Sequence, residues 1–203
     1  MISDILSKEK TIEKIYENVK DMNEMFMNCE NLESLDLTSF KTSNVQSMDR
    51  MFYGCKSMTS LNVSNFDTSK VNNMEYMFYN CSSLESINLS NFDTSSVKSM
   101  NSLFRYCESL LSMDVSNFNT SNVVDMFDIF AYCYKLTSIN VSNFDTSKVE
   151  NMQGMFYFNK NLKYLDLSNF DTSSVNTLRG IIRYCSSLVY INLYKFIIKN
   201  TTN

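Results

Sequence analysis

Residues 73–98, NMEYMFYNCSSLESINLSNFDTSSVK, are one period of a pattern that repeats every 26 residues, without insertion or deletion, from Met22 to Phe196. Met22, Met48, Met74, Met100, Met126, Met152 and Leu178 form one column. Phe26, Phe52, Phe78, Phe104, Phe130, Phe156 and Ile182 form another. A fixed period in this range means one structural unit stacked on copies of itself. No run of Gly, Ser or charge interrupts it, so the 203 residues read as one continuous array.

Each period divides into halves of different periodicity. Met74, Met77, Phe78 and Cys81 fall at i, i+3, i+4 and i+7, the apolar stripe of a two-turn helix. The residue before that stripe is Asp21, Ser47, Asn73, Ser99, Asp125, Asn151 or Thr177, and each can serve as an N-cap. Leu84, Ile87 and Leu89 then alternate with polar residues as in a short half-buried strand. Phe92 and Val97 flank an Asp93-Thr94-Ser95 turn that leads to the next unit. The chain has no Pro and three Gly, so Asn, Asp, Ser and Thr must supply the turn chemistry. The expected fold is an α/β repeat: a solenoid of seven strand–turn–short-helix units whose strands stack into one parallel sheet.

The ends differ from the middle. Ile12, Ile15, Tyr16 and Val19 show helical spacing among Lys and Glu, which predicts a capping helix within residues 1–20 ahead of an array spanning residues 21–203. The last period is degenerate, with Phe196, Ile197 and Ile198 in place of the turn signature. Two outcomes are open for these residues: a folded-back C-terminal cap, or an exposed edge that promotes end-to-end self-association.

A net charge of −4 argues against nucleic acid as a partner. The segment 1–20 has no apolar core after its basic residues, so no export leader is expected, and no run of 18 apolar residues predicts membrane insertion. The chain has no His, no CxxC pair and no phosphate-binding Gly loop. No catalytic residue, cofactor or metal is therefore expected.

The run Met25-Phe26-x-x-Cys29-x-x-Leu32-x-x-Leu35-x-Leu37, with Ser64-Asn65-Phe66-Asp67-Thr68-Ser69, resembles the BspA-like leucine-rich-repeat surface proteins and the related repeat of mycoplasma-type lipoproteins. The resemblance runs from Asp21 to about Phe196. It implies a leucine-rich-repeat solenoid displayed on a cell surface or secreted, and used for adhesion to proteins of a host or neighbouring cell. The absent leader leaves a cytoplasmic interaction scaffold or effector as the alternative.

Three sets of residues are candidates for chemistry. Cys29, Cys55, Cys81, Cys107, Cys133 and Cys185 share a column that has Asn159 in the sixth copy. Neighbouring rungs are close enough for disulfides, but parallel side chains in a long column favour free buried thiols. Asp67, Asp93, Asp145 and Asp171 share another column. Carboxylates on successive rungs could hold Ca²⁺, whereas an Asx turn in each copy explains every one without an ion. The third set is the outward face of the strands, small and polar at Ser34, Asp36, Thr38, Ser60, Asn62 and Ser64. That pattern breaks late, where Tyr164, Tyr190 and Tyr194 enter the same columns with Asp166 and Asn192. Tyrosine on a rigid sheet offers large contact area at low entropic cost, which makes these five residues the candidate site for a protein ligand. The alternative is that the rings cover the open end of the array. Tyr53, Tyr79, Arg105, Tyr157 and Arg183 on the other segment are read as core-shielding residues or a second surface.

Overall fold

A computed structural model describes residues 18–197. It corrects the expected architecture. Among the described residues only Asn18 has helical backbone, and the strands are β1 (Ser60–Leu61), β2 (Ser86–Ile87), β3 (Tyr164–Asp166) and β4 (Tyr190–Asn192). They form two separate two-stranded parallel sheets, β1 with β2 and β3 with β4. A leucine-rich-repeat solenoid of seven strand–turn–helix units on one parallel sheet is therefore not what this chain forms. The cap helix expected at residues 1–20 lies outside the described residues except for its last three.

What replaces the helix follows from where the backbone N–H groups go. In the second period the N–H groups of Met48, Arg50, Phe52 and Gly54 donate to the carbonyls of Asn73, Glu75, Met77 and Tyr79 at 2.8–3.1 Å, one per alternate residue. The residues between donate locally: Met51 to Met48, Tyr53 to Arg50, and Cys55 to Phe52. These are overlapping i→i+3 turns. Arg50 and Gly54 sit third in two of them at φ 53° and 72°, the position where a type II turn needs positive φ. The same two positions have positive φ in every period, from Glu24 and Asn28 to Gly180 and Tyr184. Left-handed backbone is unfavourable for non-Gly residues, and here it is held by bonds to the next coil on every second N–H.

The capping column keeps its chemistry but not its setting. Asp21, Asn73, Asp125 and Asn151 accept the N–H two residues on, at 2.8–3.0 Å, and so close Asx turns rather than helices. The column forms a line of parallel bridges, Asp21 to Ser47 to Asn73 and on to Thr177.

The expected strands are shortened by a similar competition. Asp36, Asn62, Asn88, Asp114, Asn140 and Asp166 each accept the N–H of the residue two further on. That local bond turns the chain away from the ladder.

Stacking at the 26-residue offset builds the core. Phe26, Phe52, Phe78, Phe104, Phe130 and Phe156 form a continuous stack with ring centroids 5.3–6.0 Å apart. Met48, Met74, Met100, Met126 and Met152 are fully buried beside it. At the C-terminal end Phe196 stacks on Phe170, and the Ile197 N–H donates to the Thr172 hydroxyl at 2.8 Å. These residues continue the register of the preceding turns instead of folding back as a cap; Ile198 lies outside the described residues. Val189, Leu193 and Ile197 remain exposed on that last coil.

Candidate functional site

The five residues proposed for protein contact come together on β3, β4 and the turn after them. Tyr164 pairs in register with Tyr190, and Asp166 with Asn192. Leu165, between Tyr164 and Asp166, is buried in the core. Alternation along the strand thus holds the two rings outward from a backbone anchored on its other face. Tyr164 is 59% exposed, Tyr190 53% and Tyr194 86%.

The polar members have a structural task. The Asp166 carboxylate accepts the Ser168 N–H at 2.8 Å, and its hydrogen bonds to Ser168 hold it below the usual carboxylate range. Asn192 Oδ1 accepts the Tyr194 N–H at 3.2 Å, which fixes where Tyr194 leaves the strand. Tyr194 then borders an open groove of about 460 Å³ with Asp171, Lys195, Phe196 and Ile197.

The cysteine column lies inside the stack. Cys55, Cys81, Cys107 and Cys133 are free and buried, Cys185 is half-buried and Cys29 exposed. The thiols of Cys55, Cys81, Cys107, Cys133 and Cys185 each donate to the carbonyl of the Phe 29 residues earlier, at 3.1–3.3 Å. Burial pushes the Cys55 and Cys185 thiols up to about 11 and Cys133 up to about 12. Such groups are poor nucleophiles. Asn159 replaces a thiol there and accepts the Cys133 N–H at 2.9 Å, leaving its own Nδ2 buried without an acceptor.

In the aspartate column Asp67, Asp93, Asp145 and Asp171 each accept the N–H of the Ser two residues on, at 2.8–3.1 Å. Each carboxylate is engaged by its own turn. Among the described residues no group of three or more acidic or cysteine side chains is arranged to hold a metal ion.

On the turn segment Tyr53 of the flank column stacks on Tyr79, and the adjacent column continues as a ladder through Tyr106, Tyr132, Phe158 and Tyr184, with centroids 4.3–5.2 Å apart within each run. Arg105 lies over the Tyr106 and Tyr132 rings and pairs with Asp128 at 2.7 Å. Burial outweighs that guanidinium and pushes the Asp128 carboxyl up to about 6. Sequence reasoning found the column of Arg105 and Arg183 but missed Asp128 and Tyr132, which occupy left-handed turn positions that only the fold reveals.

A family model described as "Mycoplasma protein of unknown function, DUF285" matches residues 6–110, 56–140 and 82–196. The chain belongs to this DUF285 family. The overlapping matches, two of them starting one repeat apart, are what an internally repeated member of DUF285 produces. No curated protein and no solved structure matches this DUF285 chain.

Proposed function

We propose that this chain is a non-enzymatic protein-binding module that contacts its partner through Tyr164, Asp166, Tyr190, Asn192 and Tyr194. The observation that carries the reading is the in-register pair Tyr164 and Tyr190, both more than half exposed, on strands whose next residues are the buried Leu165 and the half-buried Ile191. Buried aromatic anchors dominate binding energy in protein interfaces, and rings held rigid before binding lose little entropy. Elsewhere the matching outward positions are Ser, Asn, Asp and Thr, which supply few such anchors.

The finer placement is among BspA-like surface proteins, with the module at a cell surface or secreted and acting in adhesion to host or neighbouring cells. The sequence motifs quoted above and membership in a Mycoplasma family support it. Absence of His and the raised thiols favour a binding role over an enzymatic one. The negative net charge disfavours nucleic acid, and no described helix is long and apolar enough to cross a membrane. The exposed Val189, Leu193 and Ile197 favour self-association through the last coil as a second contact.

Protease treatment of intact cells, followed by antibody detection, tests the location. Digestion before lysis upholds the surface reading, and protection until lysis moves the chain to an intracellular scaffold. The contact site is tested with Tyr164→Ala combined with Tyr190→Ala. Loss of binding to intact partner cells with an unchanged melting temperature is the expected result; loss of folding instead would assign the rings to covering the end of the stack.

A further inference from the structure

The turn segments of the later coils border a half-open cavity of about 220 Å³, with Arg179 and Arg183 exposed at its mouth. Three of the chain's four arginines line it: Arg105, Arg179 and Arg183. Asp128, Tyr132 and Tyr157 complete its charged and aromatic wall. In a chain of net charge −4, three guanidiniums against one carboxylate make this a local reversal of charge.

The repeat does not account for these residues. Columns that build the core keep one residue type through most periods, whereas the column containing Arg179 has Asp49 and Glu75 in earlier coils. The space itself comes from omission. Gly154 and Gly180 stand where Arg50 and Tyr76 project in earlier periods, and both have positive φ. A Cβ on Gly154 would collide with the Asp128 carboxylate, so this glycine lets Asp128 reach Arg105.

The guanidiniums are unequally engaged. Arg105 is held by Asp128 at 2.7 Å and by the rings beneath it, and its Nε is buried without a hydrogen-bond partner. Arg183 lies 4.8 Å from the Tyr184 ring centroid and donates to the Tyr184 hydroxyl at 3.0 Å. Among the described residues no carboxylate pairs with Arg179 or Arg183. Two unneutralised guanidiniums match a tetrahedral ester oxyanion, which has three terminal oxygens to share between two planar forks, better than a carboxylate, which has two. The volume falls below the roughly 300–1,000 Å³ of ordinary small-molecule sites, so it admits an acidic headgroup and not a whole ligand.

We propose that this cavity binds the phosphate or sulfate group of a monoester, with Arg179 and Arg183 on its oxygens and Tyr157 beside the ester. The site is separate from the tyrosine patch, and its test does not depend on that surface.

Isothermal titration of the full chain at low salt with phenyl phosphate, phenyl sulfate and inorganic phosphate tests the assignment. Saturable binding is expected, weakened about tenfold or more in Arg179→Gln and in Arg183→Gln, since each removes a charge-assisted contact. Arg50→Gln, outside the cavity, should leave it unchanged. Phenyl phosphate binding more tightly than inorganic phosphate upholds the ester assignment, and equal or weaker binding overturns it in favour of the free ion. Absence of saturable binding for all three probes, or unchanged affinity when Arg179→Gln and Arg183→Gln are combined, overturns it. Should a variant fold poorly, amide shift changes in the unmodified protein locate the bound probe directly: changes centred on Arg179 and Arg183 uphold the site, and changes centred elsewhere overturn it.

Discussion

The Thr68 hydroxyl donates to the Asp93 carbonyl at 2.9 Å and accepts the Asp93 N–H at 2.8 Å, so one side chain satisfies both backbone groups of a residue in the next coil. Thr42 treats Asp67 in the same way, and Thr172 treats Ile197. Thr68 is fully buried and Asp93 exposed, so the two bonds lie at the edge of the core.

Thr68→Val keeps the shape and removes both bonds, leaving two backbone groups of Asp93 unpaired. A loss of about 1–3 kcal/mol is expected, about 0.5–1.5 kcal/mol for each of the two bonds. Thr68→Ser should restore most of it, as measured by urea unfolding.

Asn159 carries the reverse situation, a buried donor with no acceptor. Asn159→Cys recreates the side chain found in the other coils, whose thiol bonds to a carbonyl in the preceding coil. A gain of about 1 kcal/mol is expected, offset in part by loss of the bond to the Cys133 N–H. A lower melting temperature would show that the Asn159 Oδ1 bond to Cys133 matters more.

Thiol accessibility provides a check on the stacking. With a thiol reagent under native conditions Cys29 should label first and Cys185 more slowly, while Cys55, Cys81, Cys107 and Cys133 stay protected until denaturant is added. Rapid native labelling of Cys107 would contradict its place in the core.

Asp145 accepts hydrogen bonds from the Ser147 hydroxyl and N–H, at 2.7 and 3.0 Å, and these hold its carboxyl below the usual value. A depressed folded-state value means that its contribution is present above the unfolded value of 3.8 and is lost as pH falls through the folded one. Asn119, in the same column, makes the equivalent bonds at 3.1 and 2.7 Å. Asp145→Asn should therefore be near neutral at pH 7 and should flatten the acid limb of a stability–pH curve. Asp145→Ala should cost about 0.5–1 kcal/mol at pH 7, the range for an exposed bond.

Phe104 sits in the middle of the ring stack, 5.3 Å from Phe78 and 6.0 Å from Phe130. Phe104→Ala should cost about 3–5 kcal/mol by thermal or urea unfolding.

The 26-residue period, the inward columns and the Asp-x-Ser turns were all legible in the sequence, because side-chain chemistry at fixed spacing decides them. Phe104 recurs as Phe since only a ring continues the stack, and Asp67 precedes Ser69 because the turn closes within three residues. Met74, Met77, Phe78 and Cys81 were legible as buried but not as turns. Overlapping i→i+3 turns place these positions on one side much as a helix would, so the apolar pattern does not separate the two. A two-turn helix is marginal by itself. The N–H groups of Arg50, Phe52 and Gly54 found carbonyls in the next coil instead, and no local pattern announces an acceptor 25 residues away. Tyr164 and Tyr190 could be placed on one face from their spacing alone. The meeting of Arg105, Asp128, Arg179 and Arg183 could not, because Asp128 and Gly180 hold left-handed backbone imposed by bonds between coils. Sequence by itself determined what is buried and at what interval; the tertiary structure decided the path of the backbone, because its hydrogen bonds are satisfied by neighbouring coils and not within each one.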